Sequence, residues 1–312
     1  MIEFKENYFD GVDDVNIYYY SWIPKKKLKG VIQMAHGMCE KGMRYEDTAI
    51  KLAGAGYAVY INDHRGHGKS AWEEYGYLGS GDVFLKMVKD MKTLTDIIKD
   101  EHKDEKLFLL GHSMGSFLSL RYLEVYGKNL NGIIFSGTGG TNKIGNTILC
   151  LGAKLSVDIF GERRKAIYIN KITNRVFNKR IDKVINGAEW LTRDKKAAQL
   201  YSSYEDTGFV FTSSAYHYLF KGMNENFLKS NLEAIPKDIP IYLFSGSEDP
   251  VGDYAEGVKK IYNMYKEELK IEDVTLRIYE GGRHEMLNEI NKDEVVEHLI
   301  NWLDEKTSIL EK

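Results

Sequence analysis

The 312-residue chain holds only 2 cysteines, Cys39 and Cys150, and 4 prolines. Two thiols cannot staple a chain of this size, so packing rather than a disulfide framework must hold the fold, as in a reducing compartment. No stretch of 18 uncharged apolar residues occurs, which excludes an ordinary membrane-spanning helix. A charge excess of either sign is also missing, since 43 Lys and Arg face 46 Asp and Glu for a net of -3. With 43% hydrophobic residues and so small a net charge, the composition excludes intrinsic disorder. No zinc-finger spacing or RNP-like run points to nucleic acid. The opening MIEFKENYFDG carries acids where a secretory signal needs a basic start and an apolar run. These absences lead us to expect a soluble cytoplasmic protein.

The chain does contain an alternation of short β-rich runs and helical stretches before residue 140 and after residue 238, the pattern of a mostly parallel sheet covered by helices. The expected strands are Val15 to Trp22, Val31 to Ala35, Ala58 to Asn62, Leu107 to Leu110, Gly132 to Ser136, Ile241 to Ser245 and Val274 to Tyr279. Most are nearly all apolar, as strands buried on both faces should be. Helices are expected at about Tyr45 to Ala53, Val83 to Glu101, Met114 to Tyr126, Tyr254 to Leu269 and Lys292 to Glu305.

Between Thr141 and Asn231 this rhythm stops, and apolar residues recur at helical spacing with many aromatics, among them Phe160, Tyr168, Phe177, Trp190, Tyr201, Tyr204, Tyr216 and Phe220. Pro236 and Pro240 stand where the chain would re-enter the sheet, where proline disfavours a continuing helix. We therefore expect an α/β core at 1–140 and 232–312 interrupted by an inserted helical cap at 141–231. This segment holds 15 Lys and Arg against 8 Asp and Glu, a surplus of seven positive charges, so the rest carries ten negative ones. Such a split fits an anionic partner, such as a phospholipid surface or a phosphate-bearing substrate, or else an ordinary solvated face.

The most specific local signal is Gly111-His112-Ser113-Met114-Gly115, a G-x-S-x-G pattern between an apolar strand run and a helical one. A nucleophile elbow needs that setting, because its turn is so tight that only small residues can flank the serine. A serine hydroxyl is a weak nucleophile until a base takes its proton, so an acid and a histidine should follow in that order. Asp249, in Ser247-Glu248-Asp249-Pro250, and His284, in Gly282-Arg283-His284-Glu285, lie just past strand ends, on the edge where Ser113 also sits. Glu248 and Asp253 are rivals for the acid. His36, His64, His67 and His112 stand in the wrong chain order for the base, and His102, His217 and His298 fall in helical stretches. A tetrahedral oxyanion also needs N–H donors. The residue after the nucleophile, Met114, offers one, and the loop after Val31 to Ala35 offers the other at Met38, with Gly37 letting the backbone turn.

These segments, together with Arg44-Tyr45 and the run Asp63 to Ser70, resemble the lysophospholipase and monoacylglycerol lipase branch of the α/β-hydrolases, from about residue 30 to the C-terminus. The resemblance implies an α/β-hydrolase fold, with Ser113, Asp249 and His284 as catalytic triad and the Met38 and Met114 amides as oxyanion hole. It implies a loop-bracing rather than a catalytic role for Asp63 to Ser70. No cofactor or metal is expected: His284-Glu285-Met286-Leu287-Asn288 begins like H-E-x-x-H but has Asn288 where the second zinc ligand should stand.

The expected activity is hydrolysis of a single-chain lipid ester, a lysophospholipid or a monoacylglycerol, through an acyl-enzyme, with the aromatic cap forming the acyl tunnel. The charge of the cap tilts the expectation towards a phosphate-bearing head group. The same triad would serve a thioesterase, a small-ester carboxylesterase or an aminopeptidase. A binding protein on a hydrolase scaffold would instead show a damaged triad, and none is visible.

Overall fold

The computed structural model of the chain describes residues 1–140 and 143–308. In chain order the strands are β1 (Ile2–Asp10), β2 (Asn16–Pro24), β3 (Gly30–Ala35), β4 (Tyr57–Asn62), β5 (Leu107–His112), β6 (Gly132–Ser136), β7 (Ile241–Gly246) and β8 (Val274–Tyr279). The helices are α1 (Glu46–Ala55), α2 (Val83–Glu101), α3 (Met114–Tyr126), α4 (Lys143–Phe160), α5 (Ile167–Phe177), α6 (Lys195–Ser203), α7 (Ser213–Glu225), α8 (Lys229–Glu233), α9 (Glu256–Asn263) and α10 (Lys292–Ser308). The strands form one sheet in the order β1-β2-β4-β3-β5-β6-β7-β8. Only β1–β2 and β2–β4 are antiparallel; every other pair is parallel.

Every residue of β3 to β7 is buried, so these strands read as unbroken apolar runs rather than alternating ones. One face packs against Leu52 of α1 and Val295, Leu299 and Trp302 of α10. The other packs against Met87, Met91 and Leu94 of α2, Leu118 and Tyr122 of α3, and Val258 and Ile261 of α9. Asp82 starts α2 by accepting the Leu85 N–H, which satisfies one of the unpaired donors of a first helical turn. The resulting three-layer α/β sandwich is the fold class expected from the sequence.

Two elements differ from expectation. No strand was expected over Ile2–Asp10, yet β1 pairs with β2 along its whole length. Its side chains are almost all exposed, so no buried face wrote an apolar pattern into the sequence. The helix expected from Tyr254 starts only at Glu256, because Asp253, Tyr254 and Ala255 all take left-handed backbone, and its far end widens into a π-turn over Met264–Glu268.

Between β6 and β7 the described chain forms α4 to α8, with an isolated bridge between Lys165 and Thr212 as the β-pairing recorded there. Thr141 and Asn142, where the expected cap begins, lie outside the described residues. Helix α4 packs along α7, with Ser156 Oγ 2.8 Å from Ser213 Oγ. Its outer side leaves Ile144, Ile148, Leu151, Leu155 and Ile159 exposed. Among the described residues no helix is long and apolar enough to cross a membrane.

Candidate active site

Strand β5 delivers its last residue, His112, directly to Ser113, whose φ of 53° and ψ of -119° lie outside both helix and strand, and α3 starts at the next residue. The turn can close this tightly only because glycine stands on both sides. A Cβ on Gly111 would lie 2.4 Å from the Gly115 carbonyl oxygen, and one on Gly115 would lie 2.1 Å from that of Ala35. The Ser113 N–H donates to Ser136 O at 2.9 Å, which ties the elbow to the end of β6.

Asp249 and His284 hang from loops after β7 and β8, and these loops are joined to each other by the Glu248 N–H donating to Gly282 O at 2.8 Å. Asp249 is wholly buried, and its Oδ1 lies 2.9 Å from His284 Nδ1. Its other oxygen accepts from Ser245 Oγ at 3.1 Å, and Oδ1 also takes the Val251 N–H. The rival acids Glu248 and Asp253 are exposed. Burial alone would push the Asp249 carboxyl up, but the His284 charge, its hydrogen bond and those from Val251 and Ser245 hold it below the ordinary value. His284 shows the opposite balance: burial would lower it, and Asp249 first, then Glu285 and Glu40, raise it above 6.5. The imidazole lies between the His112 ring, 4.8 Å away, and the Trp190 ring, 4.9 Å away. Burial and the His284 charge press His112 down to about 4, so it stays neutral beside His284.

Ser113 and His284 line the same cavity, of about 110 Å³. No hydrogen bond joins them: His284 Nε2 is buried and unpartnered among the described residues. Such a contact is commonly long before substrate binds. Met38 and Met114 line the cavity as well. The Met114 N–H opens α3, where no intrahelical acceptor exists. On the other loop Gly37 donates to Glu40 Oε1 and Cys39 to His67 Nε2, while the Met38 N–H has no partner among the described residues.

Sequence reasoning missed a charge cluster beside these groups. Arg44 grips Glu285 with two prongs, Nη1 to Oε1 and Nη2 to Oε2, both at 2.7 Å, and also pairs with Glu40. The Arg44 and Tyr45 that carried the family resemblance were the available signal, but nothing local named Glu285 as the partner. The run Asp63 to Ser70 braces the neighbouring loops: Asp63 takes the Tyr20 hydroxyl and the Gly42 and Lys69 N–H groups, and Arg65 pairs with Asp90 in full burial. His36 holds the His64 N–H, and burial keeps His64 and His67 uncharged.

Apart from Phe117 of α3 and Val251 after β7, the rest of the cavity wall comes from the segment between β6 and β7, with Phe177, Trp190, Tyr216, Leu219, Phe220 and Met223 supplying apolar surface. Other aromatics from that segment, Phe160, Tyr168 and Tyr204, point outward and are exposed.

Several known proteins are similar to this chain. A monoacylglycerol lipase of Mycolicibacterium smegmatis is 25% identical over 303 residues, 96% of each chain. The monoglyceride lipase of Homo sapiens is 27% identical over 292 residues, 92% of this chain and 86% of that protein. Among solved structures, a highly thermostable carboxyl esterase from Bacillus coagulans in complex with glycerol superposes with a TM-score of 0.90 at 27% identity, covering 98% of this chain and 100% of that one. The family model described as serine aminopeptidase, S33, matches residues 26–291. With that match spanning most of its length, on an α/β-hydrolase fold, the chain belongs to the serine aminopeptidase S33 family and is a serine ester hydrolase.

Proposed function

We propose that the enzyme hydrolyses a single-chain lipid ester, with monoacylglycerol the favoured class, using Ser113, His284 and Asp249 as triad and the Met38 and Met114 N–H groups as oxyanion hole. One observation carries the reading: a serine on a left-handed elbow opens into an apolar cavity shared with a histidine bonded to a buried aspartate. His284 takes the Ser113 proton as Oγ attacks the ester carbonyl. The oxyanion gathers at the two N–H groups, His284 returns the proton to the leaving alcohol, and water activated by His284 then frees the fatty acid. Asp249 holds the imidazole in the required tautomer. Residues 141–231 act as an inserted cap over a core of 1–140 and 232–312.

Among the described residues no Lys or Arg lines the cavity, which favours a neutral head group over the phosphate-bearing one suggested by charge alone. The names of the relatives agree with that preference. An aminopeptidase would need a free carboxylate for the substrate amine. The described cap residues lining the cavity include no Asp or Glu, and Glu40 and Glu285 are both engaged by Arg44. The positive charge of the cap then serves a surface: we place the exposed stripe Ile144, Ile148, Leu151, Leu155 and Ile159 of α4 against an anionic lipid layer that supplies the substrate.

The test is turnover of monoacylglycerols, lysophospholipids, acyl thioesters and short nitrophenyl esters by wild type and Ser113→Ala. Monoacylglycerol should be the best substrate, and the variant should lose activity on the order of 10⁶-fold in kcat. Retained activity in Ser113→Ala defeats the mechanism, and preference for thioesters or lysophospholipids defeats the substrate assignment.

A further inference from the structure

The Glu40–Arg44–Glu285 cluster touches no reacting atom, yet it lies between the two loops that matter most. Glu40 is 2% exposed and Glu285 3%, a depth at which carboxylates must be paired. Each oxygen of Glu40 has a separate task. Oε1 accepts the Gly37 N–H and the Tyr45 hydroxyl, the latter at 2.8 Å, while Oε2 pairs with Arg44. Arg44 then reaches Glu285, the residue after His284, and stacks over the Tyr201 ring at 4.9 Å. The Tyr201 hydroxyl donates to Met38 O at 3.4 Å, and the Glu285 N–H donates to Leu191 O at 2.7 Å.

We infer that Glu40 and Arg44 are positioning residues, a clamp that fixes the Gly37–Met38 peptide and the His284 loop in one frame so that the oxyanion donor and the base keep their separation. The inference deepens the proposed ester hydrolysis and rests on it. Gly37 and Cys39 each have their N–H committed, to Glu40 and to His67, and the Met38 carbonyl is held by Tyr201. The Gly37 carbonyl meets His36 Nδ1 and the Cys39 carbonyl accepts the Gly208 N–H, so among the described residues what remains of that loop's polar backbone is the Met38 N–H. A Cβ on Gly37 would lie 2.7 Å from Glu40 Oε1 and 3.2 Å from the Ser113 Cβ, which shows how little room the peptide has to shift. The two carboxylates also outnumber the single guanidinium, so the clamp presents a net negative charge near His284 and favours its imidazolium as the proton arrives.

The experiment follows nitrophenyl butyrate hydrolysis across pH for wild type, Glu40→Ala, Glu40→Gln, Arg44→Lys, Glu285→Gln and Ser113→Ala, with thermal unfolding alongside. Glu40→Ala frees the Gly37 N–H, and its kcat should fall about 100-fold with KM nearly unchanged, as for loss of an oxyanion donor. Glu40→Gln keeps the acceptor oxygen and should recover at least about tenfold of that loss. Glu285→Gln should move the acid limb of kcat/KM to lower pH. If Glu40→Ala fails to fold, Arg44→Lys carries the test, since it keeps the charge but loses the two-pronged grip, with about a tenfold loss in kcat expected. The clamp is overturned by folded variants with wild-type kcat, by a loss that falls on KM, by Glu40→Gln as poor as Glu40→Ala, or by an unmoved acid limb in Glu285→Gln. Activity in Ser113→Ala would overturn the ester-hydrolase mechanism itself, whereas an inert Ser113→Ala beside unimpaired clamp variants would overturn the clamp alone.

Discussion

At the scale of single residues, the site is governed by how burial is offset. His284 loses hydration, but three carboxylates of the site more than restore its affinity for a proton. In the proposed mechanism its protonated form cannot accept the Ser113 proton, so activity should fall as pH drops through a midpoint above 6.5. Asp249→Asn removes the first of those carboxylates and frees the imidazole tautomer. Its kcat should drop on the order of 10⁴-fold and its acid limb should move to lower pH, both read from a pH–rate profile. The elbow at Ser113 was legible in the sequence because strand, turn and helix are contiguous around it. That Asp249 and His284 would meet was legible because chain order and strand ends narrow the choice. Glu285 was not, since its partner Arg44 stands 241 residues away and only the folded sheet edge brings them together.

Among elements, legibility followed burial. Strands β3 to β7 are buried throughout and announce themselves as apolar runs, whereas β1 is held by its ladder to β2 and leaves no such mark. The bend before α9 was hidden for another reason: Asp253 tolerates left-handed backbone, but Tyr254 and Ala255 are not residues that advertise it. Two glycines separate close approach from simple helix propensity. Gly115→Ala forces a methyl onto the Ala35 carbonyl, and urea unfolding should show a loss of about 3 kcal/mol or more. Gly54, exposed in α1, meets nothing within 4 Å, so Gly54→Ala should stabilise by about 0.5–1 kcal/mol in the same assay.

For the molecule as a whole, the modest net charge conceals a positive segment between β6 and β7 and a negative remainder. If the positive segment meets anionic lipid, binding to vesicles containing phosphatidylserine should weaken as salt rises. Paired Ile148→Glu and Leu155→Glu changes on the outer side of α4 should abolish vesicle binding while leaving nitrophenyl butyrate turnover near wild type, as co-sedimentation and a parallel assay would show. Vesicle binding that ignores both salt and these substitutions would remove α4 from the contact.

The elbow also limits how heat-tolerant this enzyme can become. A non-glycine residue held at the φ of Ser113 stores on the order of 1–3 kcal/mol, against about 0.5–1 kcal/mol of extra chain freedom that glycine would bring to the unfolded state. Under the proposed mechanism the more durable protein, with glycine at 113, would be inert, and every active descendant would have to make good that deficit elsewhere in its packing.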